Sequence, residues 1–162
     1  MKRLILILTT ASIMLALVPV ASADKPTREF LPTEGLVIEG ICPFAVDVHI
    51  LANNAFITTF SDERQLITGT LKVRLTNLDD PSRSLDVNIS GPGVQRVTEE
   101  GEFVLKAKGR WLFFFFPGDL GPGDPGLLVI TTGLAIQRID AEGNSSFTHR
   151  TGTTTDVCAA LA

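Results

Sequence analysis

The chain contains no tyrosine. Its aromatic residues are ten phenylalanines and one tryptophan, so the aromatic surface is nearly free of hydroxyls. Recognition faces are commonly rich in Tyr; here Phe reads as core material. Both methionines, Met1 and Met14, fall at the very start. There are two histidines, His49 and His149, and structural zinc wants four ligands. After residue 20 no apolar run is long enough to span a membrane, and Phe113 to Phe116 is far too short. No segment of ten or more residues carries helical periodicity with caps. There is no Gly-x-Ser-x-Gly to announce a nucleophile. The glycines between Gly118 and Gly126 are interrupted by prolines, lack a following Lys-Ser/Thr and precede a strand, which excludes a phosphate loop. Basic clusters are missing too. The chain of 162 residues carries a net charge of −4, which argues against nucleic acid and anionic membrane surfaces as partners.

What is present begins with an address. Lys2 and Arg3 precede an apolar stretch from Leu4 to Val20, and Ala21-Ser22-Ala23 fits a small-x-small cleavage site. Residues 1–23 therefore read as a secretory signal peptide, with no Cys at the cleavage site for a lipid anchor. Without Lys2 and Arg3 the remainder holds 12 basic and 18 acidic residues, a net charge of −6. Residues 24–34 are polar, hold Pro26 and Pro32, and read as an extended or mobile lead-in. Residues 35–162 form one domain, large enough to bury a core.

That domain alternates in the manner of strands. Gly35 to Ile41 is a first strand. Phe44, Val46, Val48 and Ile50 alternate with Ala45, Asp47, His49 and Leu51, and Asn53-Asn54 signals a turn before Phe56, Thr58 and Phe60. Leu71, Val73 and Leu75 face one way, and Leu85, Val87 and Ile89 match them across an Asp/Pro/Ser turn, which reads as a hairpin with one wet face. Lys72 and Arg74 can meet Asp86 on that face. Val94 to Val97 and Phe103 to Lys108 follow. Leu127 to Ile139 is long and β-rich with Gly133 as its bend, and Ser146 to Thr151 and Thr153 to Val157 complete the set. The expected class is all-β and antiparallel, a small barrel slightly preferred over a sandwich.

One stretch stands apart. Trp111, Phe113 and Phe115 alternate with Leu112, Phe114 and Phe116, so this strand is apolar on both faces and must be covered on both. These six residues are the ligand or interface candidates. Polar candidates are weaker. Asp47 and His49 share a strand face about 7 Å apart, too far for a direct bond without help from the side chains. His149 stands between Thr148 and Arg150 and reads as an ordinary surface or edge residue. Asp119 and Asp124 match no EF-hand spacing and read as caps of a stiff Gly/Pro turn. No catalytic residue, metal site or cofactor is assigned. The two cysteines, Cys42 and Cys158, allow one pairing within a monomer, and an oxidising compartment favours it.

Four pieces, Leu75-Thr76-Asn77-Leu78, Asn88-Ile89-Ser90-Gly91-Pro92-Gly93, Phe116-Pro117-Gly118-Asp119 and the closing Val157-Cys158-Ala159-Ala160-Leu161-Ala162, span most of the domain. On these the chain resembles a family of small, uncharacterised secreted actinobacterial proteins. The resemblance implies secretion and carries no activity, ligand or catalytic residue with it. The first functional expectation is a non-catalytic binding module for an apolar small molecule or a protein, with the aromatic strand lining its site. The alternatives are an extracellular structural or homo-oligomeric interaction protein, and a barrel-type isomerase or hydrolase using His49 or His149.

Overall fold

The alternating segments become strands. The computed structural model describes residues 25–162, so the signal sequence read in residues 1–23 lies outside the described residues. The strands are β1 (Thr27–Phe30), β2 (Leu36–Ile38), β3 (Val46–Thr59), β4 (Gln65–Asn77), β5 (Ser84–Asn88), β6 (Gly93–Val97), β7 (Phe103–Lys108), β8 (Trp111–Phe115), β9 (Leu127–Thr131), β10 (Leu134–Ile139), β11 (Ser145–Thr151) and β12 (Thr154–Asp156). A one-turn helix, α1 (Val157–Leu161), follows. No helix among the described residues is long and apolar enough to cross a membrane.

Two differences from the sequence reading concern β1 and β3. The lead-in, read as extended or mobile, contributes a paired strand: β1 pairs antiparallel with the far end of β3, Thr27 opposite Thr59 and Phe30 opposite Phe56. The Asn53-Asn54 turn does not form. The chain runs straight through it, with one register irregularity between Ile50 and Ala52. Asn53 spends its turn-forming side chain elsewhere: Nδ2 donates to the Leu31 carbonyl at 2.9 Å and Oδ1 accepts from the Ala55 amide at 2.9 Å. The predicted hairpin of β4 and β5 is present in register, and Arg74 grips Asp86 with two bonds of 2.6 and 2.8 Å. This pairing holds the Asp86 carboxyl below the usual carboxylate range.

Nine strands form one antiparallel sheet along the path β1-β3-β4-β6-β7-β10-β11, with β2 added to β3 and β5 to β4. The other three make a small sheet, β12-β9-β8. The all-β, antiparallel class is as expected; neither sheet closes, and no closed barrel is seen among the described residues. The physical reason lies in β8 and β9. A barrel wall covers a strand on its inner face only, and these strands are apolar on both.

The small sheet is instead a middle layer. Leu128 and Ile130 pack with Ile38, Val46, Val48, Val73 and Leu75 from one half of the large sheet. Val129, Phe113 and Phe115 pack with Leu105, Ala107 and Ala135 from the other half. Each β9 residue alternates between two cores, which is why four in a row, Leu128 to Thr131, are buried. The chain enters this layer at Gly109, leaves it at Gly133 and re-enters at Gly152. The Gly109 amide donates to the Gly133 carbonyl at 2.8 Å. Gly133 has φ 82°, and a Cβ there would stand 2.0 Å from the Thr151 carbonyl oxygen, so this crossing demands glycine.

The C-terminus closes the first core. Asp156 caps α1 by accepting the Ala159 amide at 3.0 Å, and Val157 and Leu161 are buried. Cys42, in the β2–β3 connection, is bonded to Cys158, with Cα atoms 5.3 Å apart. The pairing is as expected, but its setting differs: Cys158 sits on a helix, and the last strand pairs with β9 rather than beside the first. The buried Asn77 fastens the same corner. Its Nδ2 donates to the Leu161 carbonyl at 3.0 Å, and its Oδ1 accepts the Asp79 and Asp80 amides at 2.8 and 3.2 Å.

Candidate functional site

The aromatic strand divides sharply between interior and surface. Phe113 and Phe115 are buried, and each meets Phe147 of β11, with ring centroids 5.0 and 5.3 Å apart. Trp111 stacks on Phe113 at 6.2 Å. Its indole lies flat against the Gly91-Pro92-Gly93 segment, where a Cβ on Gly93 would stand 2.5 Å from the ring. Its Nε1 is buried with no hydrogen-bond partner. Leu112 packs on the first core. Phe114 and Phe116 remain exposed, 42 % and 46 %, and pack edge-to-face on each other at 6.1 Å. The demand for two-sided cover is thus met largely from within the fold.

The histidines have separate surroundings. His49 is exposed on β3, opposite Arg74, and Asp47 is opposite Thr76. His149, on β11, bonds the Thr132 carbonyl through Nε2 at 2.8 Å and the Thr154 hydroxyl through Nδ1 at 3.1 Å. A carbonyl only accepts, so Nε2 carries a proton. Both ring nitrogens are occupied in tying β11 to the β9–β10 connection and to β12, so His149 has no ring nitrogen spare for a base. Ser90 is equally occupied: its hydroxyl accepts the Leu71 amide at 2.6 Å and contacts Asn88 Oδ1. Among the described residues no three His, Cys, Asp or Glu side chains converge on a metal-sized space. Asp119 accepts the Phe116 amide at 2.7 Å and Asp124 accepts the Leu120 amide at 3.4 Å, so both work within their own loop. Other turn carboxylates do the same. Hydrogen bonds from Ser82 hold Asp80 below its ordinary range, those from Asn144 hold Asp140, and those at its own backbone amide and Thr98 hold Glu100.

A different surface gathers charge. On the face of β6, β7 and β10 turned away from the second core, the register sets three rows. Arg96 lies opposite Val104, and Val104 opposite Arg138. Val94 lies opposite Lys106, and Lys106 opposite Ile136. Pro92, whose carbonyl accepts the Lys108 amide at 2.8 Å, extends the third row through Lys108 to Leu134. Cations and apolar side chains therefore interleave across each row. Lys106 sits at the centre of the three rows, about 7 Å along the strand from Lys108 and diagonal to Arg96.

The rows form the floor of a groove of about 550 Å³, lined by Arg64, Pro92, Val94, Arg96, Val104, Lys106, Lys108 and Leu134. That is an ordinary volume for a small-molecule site. No carboxylate lines it. Arg138 is neutralised by Glu102 at 2.7 Å at one end, and Arg64 has Asp62 at 3.7 Å and stacks over the Phe60 ring. Among the described residues Arg96, Lys106 and Lys108 form no ion pair. Val104 is 3 % exposed although it lies on the outer face, which puts it beneath the cationic stems.

No protein family, curated protein or solved structure matches the chain. The site stands on its own residues. Sequence reasoning found no basic cluster because the cations come from three places, residue 64, residue 96 and residues 106–108. The one signal in the sequence was the alternation of Lys106 and Lys108 with Leu105 and Ala107, which marks a wet face. Only the strand order brings Arg64 and Arg96 to it.

Proposed function

We propose that the protein is a secreted, non-catalytic binding module whose ligand lies in the groove over β6, β7 and β10. The observation that carries this reading is four cations around an apolar floor, with no carboxylate lining the space, on a chain of net charge −4. Like charges held this close repel one another, and an anionic ligand relieves that repulsion. The disulfide and the leader read in residues 1–23 support a place outside the cytoplasm, as does the resemblance to small secreted actinobacterial proteins.

Anilinonaphthalene sulfonate, an anionic aromatic fluorophore, tests the location. It is expected to bind one site per chain, and Lys106→Glu is expected to weaken binding at least about tenfold, since a charge-assisted bond is lost and a repulsive charge gained. Unchanged binding in the variant would move the site elsewhere.

A second reading is favoured by Phe114, on an edge strand of the small sheet, and Phe116, just past its end, which are both exposed. It makes this pair a homo-oligomer contact. Sedimentation at two concentrations checks it: a dilution-resistant dimer that Phe114→Ser with Phe116→Ser converts to monomer is the expected result, and a monomer at both concentrations rules it out.

A further inference from the structure

We infer that the groove takes a free single-chain amphiphile, one anionic head on one hydrocarbon tail. The inference rests on the groove being the binding site. Its basis is the interleaving of cations and apolar side chains across the rows. Lys106 has Lys108 two residues along its own strand and Arg96 on the diagonal, so one head group can meet three donors that form no ion pair among the described residues, with Glu100 acting on Arg96 only from a distance. The space between these donors is not polar. Val94 and Ile136 flank Lys106 in its row, Pro92 and Leu134 flank Lys108, and Val104 lies beneath. A small hydrophilic anion would leave that apolar surface wet, and a neutral hydrocarbon would leave the cations unpaired; an amphiphile satisfies both.

The same geometry separates this ligand from two bulkier anions. A sulfated polysaccharide needs a track of cations along its length, whereas here Glu102 neutralises Arg138 at one end of the patch. A bilayer presents a broad surface, and the cations lie in a concave site on a chain of net negative charge, which an anionic membrane repels.

The test is a matched probe series below micelle-forming concentrations, read by displacement of anilinonaphthalene sulfonate and by calorimetry. The probes are dodecanoate, dodecanol, dodecyltrimethylammonium and acetate. Dodecanoate is expected to bind one per chain, and the other three at least about tenfold more weakly. Lys106→Gln, an exposed position whose melting temperature is expected to be unchanged, should reduce dodecanoate affinity about tenfold and leave dodecanol unaffected. Raising the salt should weaken dodecanoate. Equal binding of dodecanol and dodecanoate would overturn the inference. So would displacement of the fluorophore by heparin or by phosphatidylglycerol vesicles more effectively than by dodecanoate. Fluorophore bound at Lys106 but untouched by dodecanoate rejects the amphiphile and keeps the groove; fluorophore binding insensitive to Lys106→Glu rejects both.

Discussion

Replacing Cys42 and Cys158 together with alanine is expected to lower the free energy of unfolding by up to about 5 kcal/mol, the value the chain-entropy model assigns to a loop of this length. The crosslink joins positions 116 residues apart, so it removes a large share of the freedom of the unfolded chain. It also holds α1, five residues long, against the body of the fold. A helix that short does not persist alone in water. Val157 and Leu161 would then leave the first core, although Asn77 still offers the Leu161 carbonyl a hydrogen bond. Equilibrium urea unfolding of the oxidised protein and the double variant measures the difference. A loss under about 1 kcal/mol would mean that the packing of α1 holds the corner without the crosslink. Mass spectrometry of the unreduced protein should find no thiol to alkylate.

Phe115→Ala is expected to cost about 3–5 kcal/mol and Phe114→Ala under about 1 kcal/mol, although the two are neighbours with the same side chain. Phe115 is 1 % exposed and packs on Phe147 in the second core. Phe114 is 42 % exposed and has Phe116 for its principal aromatic neighbour. The contrast cancels residue-type effects on the unfolded chain. Equal losses in urea unfolding would show that both faces of β8 are covered equally, in a dimer for instance, and would contradict the division into a buried and an exposed face.

The β4–β5 hairpin and its wet face were legible, because its alternation is strict and its turn residues are conventional. The cysteine pairing was legible because only one was available. The passage of β3 through Asn53 was not, since the Leu31 carbonyl that occupies the Asn53 amide comes from a distant segment. The doubled apolarity of β8 was visible as a requirement for cover, and its solution was not: a second layer, a ligand and another subunit all answer it, and a middle layer does so by strand order alone. The candidate site moved for the same reason. Periodicity assigns Lys106 and Lys108 to the wet face, but their meeting with Arg96 depends on β6 and β7 pairing, and with Arg64 on β4 lying beside β6.

The middle layer also bears on the order in which the molecule can be completed. Its third strand is β12, and the residues that cover the first core from the end are Val157 and Leu161. Everything from Ile38 to Leu75 that faces that core belongs to the first half of the chain. During synthesis this apolar face therefore exists long before its cover does: Leu128 and Ile130 of β9 come first, and the cover is complete only when residues 154–161 have arrived. The two cores also share a wall, because neighbouring residues of β9 serve one and then the other. The second core draws on nothing after Phe147, so the last eight residues of this span are the keystone of the first core alone.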